Sequence, residues 1–192
     1  GQREKAESIA RLRHGSVEPV KAFEVRPDHT VIAREDWYRA ALGLGAGYEP
    51  EAATAGDVPV GAVVVRDGAI VSRASNRTVR DQDPTAHAEM IVIREAARTL
   101  RQWRLIDTTL FVTLEPCAMC LGAILLARIP RLVFGARDPK AGACGSVLDF
   151  SSDPRLNHRV EVMGGVLEEE SQQMLSKFFQ GLRTQPLDRR TG

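Results

Sequence analysis

The stretch TTLFVTLEPCAMCLGAILLARIPRLVFGARD, residues 108–138, decides the fold. Leu110 to Leu114 is a short apolar run and reads as a strand. Pro116 then opens a helix over Cys117 to Arg128, because its missing N–H costs nothing at a first helical position. That helix is apolar nearly all round and is expected to be buried. Leu132 to Ala136 is the next strand. Strand, helix and strand in this order and at this length predict a right-handed parallel crossover.

Upstream, Val58 to Val65 reads as a strand buried on both faces, with Pro59 tolerated near its start. Arg66, Asp67 and Gly68 turn it into a hairpin partner, Ala69 to Ser72. Asp83-Pro84 signals a helix over Thr85 to Leu100, with Ile93, Ala96 or Ala97, and Leu100 on one stripe. Before these, Asp36 to Leu44 has the spacing of an amphipathic helix, and Gly45 to Asp57 reads as a linker. Downstream, residues 137–159 form a long connection dense in Asp, Pro, Gly and Ser, and Val160 to Met163 is a short strand. A last helix, Leu167 to Arg183, carries the stripe Leu175, Phe178, Phe179 and Leu182. Strands alternating with helices predict a layered α/β domain, and there is no internal repeat.

At 192 residues the chain is long enough for one domain with an appendage, and 43% apolar against 27% charged residues supports a buried core. We expect an N-terminal appendage over 1–34, a catalytic domain over 35–183 and a frayed tail over 184–192. No apolar run approaches the roughly 20 residues of a membrane span, and the first residues lack the apolar core of a secretory signal, so a cytoplasmic protein is expected. The net charge of +1 conceals an uneven distribution, with eight basic and four acidic residues between Arg94 and Lys140. Between Asp149 and Glu170 there are two basic and six acidic residues, a split that predicts either a basic face on a nearly neutral protein or ordinary solvated faces.

The chemistry sits in two short segments, His87-Ala88-Glu89 and Pro116-Cys117-Ala118-Met119-Cys120. Two cysteines three apart at the opening of a helix share one face, and the positive end of the helix dipole favours the thiolate that binds metal. His87 opens the other helix, so both N-termini can converge on one ion. One nitrogen and two sulfurs suit zinc, and a catalytic zinc keeps its fourth place for water. Glu89 lies about 200° round an ideal helix from His87 and so fits outer-sphere acid–base work better than ligation. A thioredoxin-like redox pair and a closed structural zinc that recruits Cys144 are the competing readings. Neither accounts for the H-x-E.

These residues resemble the zinc-dependent nucleoside and base deaminases, whose H-x-E…P-C-x-x-C signature they match. The flanks resemble the bacterial tRNA-specific adenosine deaminase branch. VPVGAVVV (58–65), SNRT (75–78), DPTAHAEM (83–90), RLIDTTLFVTLEPCAMCLGAI (104–124), FGARDPKAG (134–142) and NHRVEV (157–162) stand in the family's order. The resemblance runs from about Glu35 to Arg183. It implies a three-layer α/β/α fold of the cytidine deaminase type with a mixed central sheet, a homodimer, and one zinc per subunit on His87, Cys117 and Cys120. It also implies Glu89 as proton shuttle in the conversion of a wobble adenosine to inosine in an arginine tRNA anticodon. Asn76 and Ala88 would then meet the flipped base, the Asn76 amide offering both a donor and an acceptor. Asp138, Lys140, Phe179 and Arg183 would contact the anticodon loop. Thr78 stands where the family usually has proline, and the last helix is less basic than usual.

Two rival functions share parts of this pattern. A free-base or nucleoside deaminase of the guanine or cytosine type has the same core, but the FGARDPKAG segment and the basic bias of 94–140 favour tRNA. A non-catalytic zinc module that only binds nucleic acid would have no use for Glu89.

Overall fold

Along the strand Gly61–Arg66, successive valines must face opposite ways, and each finds a core. Ala62 and Val64 pack into one apolar cluster and Val63 and Val65 into another. This strand is β3 of a computed structural model that describes residues 23–25, 31–33, 41 and 51–184. It lies inside a five-stranded sheet with β4 (Ala69–Ser75), β5 (Thr109–Leu114), β6 (Arg131–Ala136) and β7 (Glu161–Met163), in the order β4-β3-β5-β6-β7. β3 is antiparallel to β4 and β5, whereas β5, β6 and β7 run parallel, so the sheet is mixed. A separate ribbon pairs β1 (Phe23–Val25) with β2 (Val31–Ala33), inside the expected appendage.

Helices α2 (Ala88–Leu100) and α3 (Ala118–Leu126) cover one face, where Val92, Ala96, Leu121 and Ile124 meet Leu110, Val112, Leu132 and Phe134. On the other face Met174 of α4 (Glu168–Thr184), with Val166 and Leu167 just before it, packs with Ala41 over Phe111 and Val133. The result is the three-layer α/β/α arrangement. Full burial of side chains such as Phe111, Phe134, Leu121 and Ile124 contributes roughly 1.5–3 kcal/mol each.

The β3–β4 turn follows the hairpin chemistry read from its sequence: Asp67 (φ 51°) and Gly68 (φ 75°) both take the left-handed conformation that a tight hairpin turn needs. The parallel pairing expected of the crossover forms, β5 and β6 lying parallel on either side of α3 in the chain. Several boundaries differ from expectation. Residues 51–57 are not a linker: α1 (Glu51–Thr54) is a single helical turn closed by Gly56 (φ 84°), and Ala52 and Asp57 are fully buried. α3 is not buried all round, since Leu126 is 73% exposed. The stripe of α4 is only half covered, with Phe179 and Leu182 in solvent. Of the helix expected over Asp36 to Leu44, only Ala41 is described, and it is helical and buried; the other residues, like 45–50 and 185–192, lie outside the described residues. Among the described residues no helix is long and apolar enough to cross a membrane.

Candidate active site

α2 and α3 begin side by side, and the residue at each N-cap has extended backbone: His87 (φ −71°, ψ 149°) and Cys117 (φ −73°, ψ 173°). Serine, threonine, aspartate and asparagine are the usual residues there because their oxygens cap the first turn. Neither His87 nor Cys117 makes a side-chain cap. Freed from that task, both side chains turn toward one another, with Cys117 Sγ 3.8 Å and Cys120 Sγ 3.5 Å from His87 Nδ1. The three donor atoms lie within 4.8 Å of one another, a spacing at which one metal ion can bind all three.

These positions refine the expectation from spacing. Pro116 is not the first helical residue; it precedes the Cys117 cap. Cys117 stands outside the helix and Cys120 is its third residue, so they meet as cap and first turn rather than along a helical face. His87 likewise precedes α2, so the helical phase between it and Glu89 does not apply. Both nonetheless line the same cleft, Glu89 with only 4% exposure.

The electrostatics follow from this crowding. A hydrogen bond from the Cys120 thiol, and the nearby imidazole against the cost of burial, pull Cys117 down to about 3, while Cys120 is pushed far up as the donor. The bond to Cys117 raises His87. Burial raises the Glu89 carboxyl, so the group holds a proton more readily than an exposed glutamate.

Asn76, just after β4, lines the cleft beside His87 and Glu89. Its N–H bonds Val60 O at 2.9 Å, and its side-chain Oδ1 accepts the Ala88 N–H at 2.8 Å. Asp138, Lys140, Phe179 and Arg183 line the same cleft, from the connection after β6 and from α4. The cleft therefore gathers the expected site residues except Ala88 and Cys120, which are buried. His158 Nε2 donates to Ile129 O at 2.9 Å, and Cys144 is not in the donor group.

Comparison with known proteins bears on this constellation. Residues 34–183 match the family model of the MafB19-like deaminases. The chain is 52% identical to the tRNA-specific adenosine deaminase of Bacillus subtilis (strain 168) over 67% of its length and 80% of that protein. It is 51% identical to the tRNA-specific adenosine deaminase of Haemophilus influenzae, over 78% of its length and 84% of that relative. A solved structure from work on A-to-I editing by tRNA:A34 deaminases at the wobble position superposes with a TM-score of 0.66. It shares 46% identity and covers 73% of this chain and 99% of that one. The chain belongs to the tRNA-specific adenosine deaminase family.

Sequence reading missed two carboxylates that hold this deaminase's cleft together. Asp57, assigned to a linker, accepts from Val79 N–H at 2.6 Å and Thr78 Oγ1 at 3.4 Å through one oxygen, and from Arg80 Nε at 2.8 Å through the other. Arg80 Nη2 in turn donates to Asn76 O at 2.9 Å and Ser75 Oγ at 3.2 Å. The threonine at the family's proline position thus has a partner of its own. Glu115 is buried beneath the connection after β6; burial raises its pKa, but donors from Ser146, Asp138 and Cys144 outweigh that and hold it below the usual carboxylate range. An acid before P-C-x-x-C, and one before VPVG, are the only signals the sequence offers for either.

Proposed function

We propose that this deaminase converts adenosine to inosine at the wobble position of a tRNA anticodon, an arginine tRNA in the first instance. The observation that carries the reading is the convergence of His87, Cys117 and Cys120 beside buried Glu89, at the floor of a cleft whose rim holds Asp138, Lys140, Phe179 and Arg183. A nitrogen and two sulfurs are the donors zinc prefers, so these three residues would hold one zinc per subunit. Bound there, zinc would supply Lewis-acid activation of water.

The chain's own residues do the rest. Glu89, screened from solvent, takes a proton from the attacking water and delivers one to the departing amine. A C–O bond forms at the six-position carbon of adenine, the exocyclic C–N bond breaks, and ammonia leaves. Asn76 Nδ2 donates to an acceptor on the base, and Ala88 serves the site through the N–H that fixes Asn76. Lys140 and Arg183 supply positive charge for phosphates, Asp138 orders its loop, and the exposed Phe179 ring offers a face on which a base can stack. A loop adenosine enters such a pocket without the cost of unpairing a duplex. The substrate sets the enzyme in the cytoplasm.

A homodimer is part of the same proposal. Leu126 at 73%, Trp103 at 62% and Ile106 at 56% exposure are large apolar side chains that a second copy would cover. Light scattering of the purified protein should give twice the mass of the chain.

The direct test is incubation of the zinc-loaded protein with an anticodon stem-loop carrying wobble adenosine, followed by sequencing for inosine read as guanosine. Conversion confined to that position is expected. Deamination of free guanine or cytosine with none on the stem-loop would replace the proposal with a small-molecule deaminase.

A further inference from the structure

Glu115 is 2% exposed, and a carboxylate that deep must be met by donors. Among the described residues, all its side-chain partners come from one loop, 23 to 31 residues further along. Oε1 accepts the Cys144 N–H at 2.9 Å and the Ser146 N–H at 3.1 Å. Oε2 accepts the Asp138 N–H at 3.1 Å and the Ser146 hydroxyl. At Gly142 an added Cβ would lie 2.5 Å from the Glu115 carboxyl carbon, so the loop wraps the carboxylate as closely as a main chain can. Two further ties join the loop to the metal-ligand turn: Ala143 N–H donates to Pro116 O at 2.9 Å, and Gly142 bridges to Cys117.

The loop's rim depends on this centre. Asp138, held by Glu115 through its N–H, uses its own Oδ1 to accept from Lys140 N–H at 2.9 Å and Ala141 N–H at 3.2 Å. Three main-chain N–H groups and a hydroxyl converge on one acceptor-only group, an arrangement that an apolar residue of equal volume could not replace.

We propose that Glu115 is a positioning residue for RNA binding: it holds residues 138–146 in the conformation that presents Asp138 and Lys140 to the anticodon loop, and locks that conformation to the Cys117 turn. The inference rests on the proposed reading of Asp138 and Lys140 as RNA contacts. Prepaid loop order raises affinity because binding need not freeze the loop.

The test compares Glu115→Gln and Ser146→Ala with Asp138→Ala and Lys140→Ala, on the same stem-loop. Metal content and amide hydrogen exchange are measured alongside steady-state kinetics. Glu115→Gln sets an NH₂ against donors, so we expect KM to rise about tenfold or more with kcat and metal content close to those of the parent protein. Exchange should quicken within 138–146 and not in α2 or α3. Ser146→Ala, which removes one donor and no charge, should move KM and exchange the same way by less, and it decides the matter if Glu115→Gln does not fold. Unchanged KM and exchange in the folded variants overturns the proposal, as does loss of metal and kcat at constant KM, which would assign Glu115 to Cys117 alone. If Glu115→Gln loosens the loop but Asp138→Ala and Lys140→Ala leave KM unchanged, the RNA-contact reading fails and the hold of Glu115 on the loop stands by itself.

Discussion

The side-chain carbonyl of Asn76 accepts the N–H of Ala88 at 2.8 Å, and so caps a helix whose own N-cap residue, His87, makes no cap. The N–H can only donate, so the carbonyl must face it and the Asn76 amide NH₂ is what remains for a ligand. On the proposed reading, the amide would meet the base by donating through Nδ2, with its carbonyl already engaged by Ala88. Asn76→Asp should keep the cap and lose the donor, lowering kcat/KM about 100-fold while thermal stability and metal content hold. Asn76→Ala should add a loss of about 1 kcal/mol of stability, the cost of a missing cap. An Asn76→Asp enzyme with parent kcat/KM would remove Asn76 from base recognition.

Glu89 lines the cleft with His87 and Cys117 but is not among the group whose donor atoms converge. Glu89→Gln should therefore retain the metal and lose turnover by about 1,000-fold or more, the upper part of the range for a positioned acid–base group. Single-turnover conversion of the stem-loop, with metal analysis of the same sample, separates the two roles. Metal loss together with activity would make Glu89 a ligand.

The β3–β4 hairpin, the parallel pairing of β5 and β6, and the convergence of His87, Cys117 and Cys120 were legible because each rests on local signals. Alternating and continuous apolar runs mark β3, β5 and β6, Asp67-Gly68 marks a turn, and the spacing of Cys117 and Cys120 suits ligation whether or not Cys117 lies inside the helix. Asp57 and Glu115 were not legible for the opposite reason. Each acts on residues 21 to 31 positions away, and nothing at the site of a buried acid declares which distant N–H groups it will collect. The reach of α3 and α4 into solvent was equally hidden: an apolar stripe states what a helix can bury, and not whether a neighbour is there to bury it.

Cys144 separates an open metal site from a closed one. It is 8% exposed, lies outside the converging donor group, and burial, reinforced by the carboxylates of Glu115 and Asp149, pushes its thiol up to about 12. Cys144→Ala should keep full metal content and activity, and the native thiol should resist alkylation at neutral pH. The folded pKa exceeds the ordinary value of 9.0, so the stabilising effect of the neutral thiol is complete below pH 9 and is lost as pH rises toward 12. Melting temperature should accordingly fall more steeply for the parent than for Cys144→Ala between pH 9 and 10.5. Metal loss in the variant would instead restore the closed site.

Asp57 and Arg80 set the stability of the turn that carries Asn76. The Asp57 side chain is wholly buried and Arg80 is 26% exposed at an N–O separation of 2.8 Å, so removing the acid leaves a half-buried guanidinium and the Val79 N–H without their acceptor. Asp57→Ala should destabilise by about 3 kcal/mol, the lower end for a broken buried pair because Arg80 keeps some solvent. Arg80→Ala should cost less, about 1–2 kcal/mol, since Asp57 retains the Val79 N–H and the Thr78 hydroxyl. Urea unfolding of the two single variants and the double variant gives the coupling directly. A double variant as unstable as the sum of the singles would mean that the pair contributes nothing beyond the separate contacts of its two members.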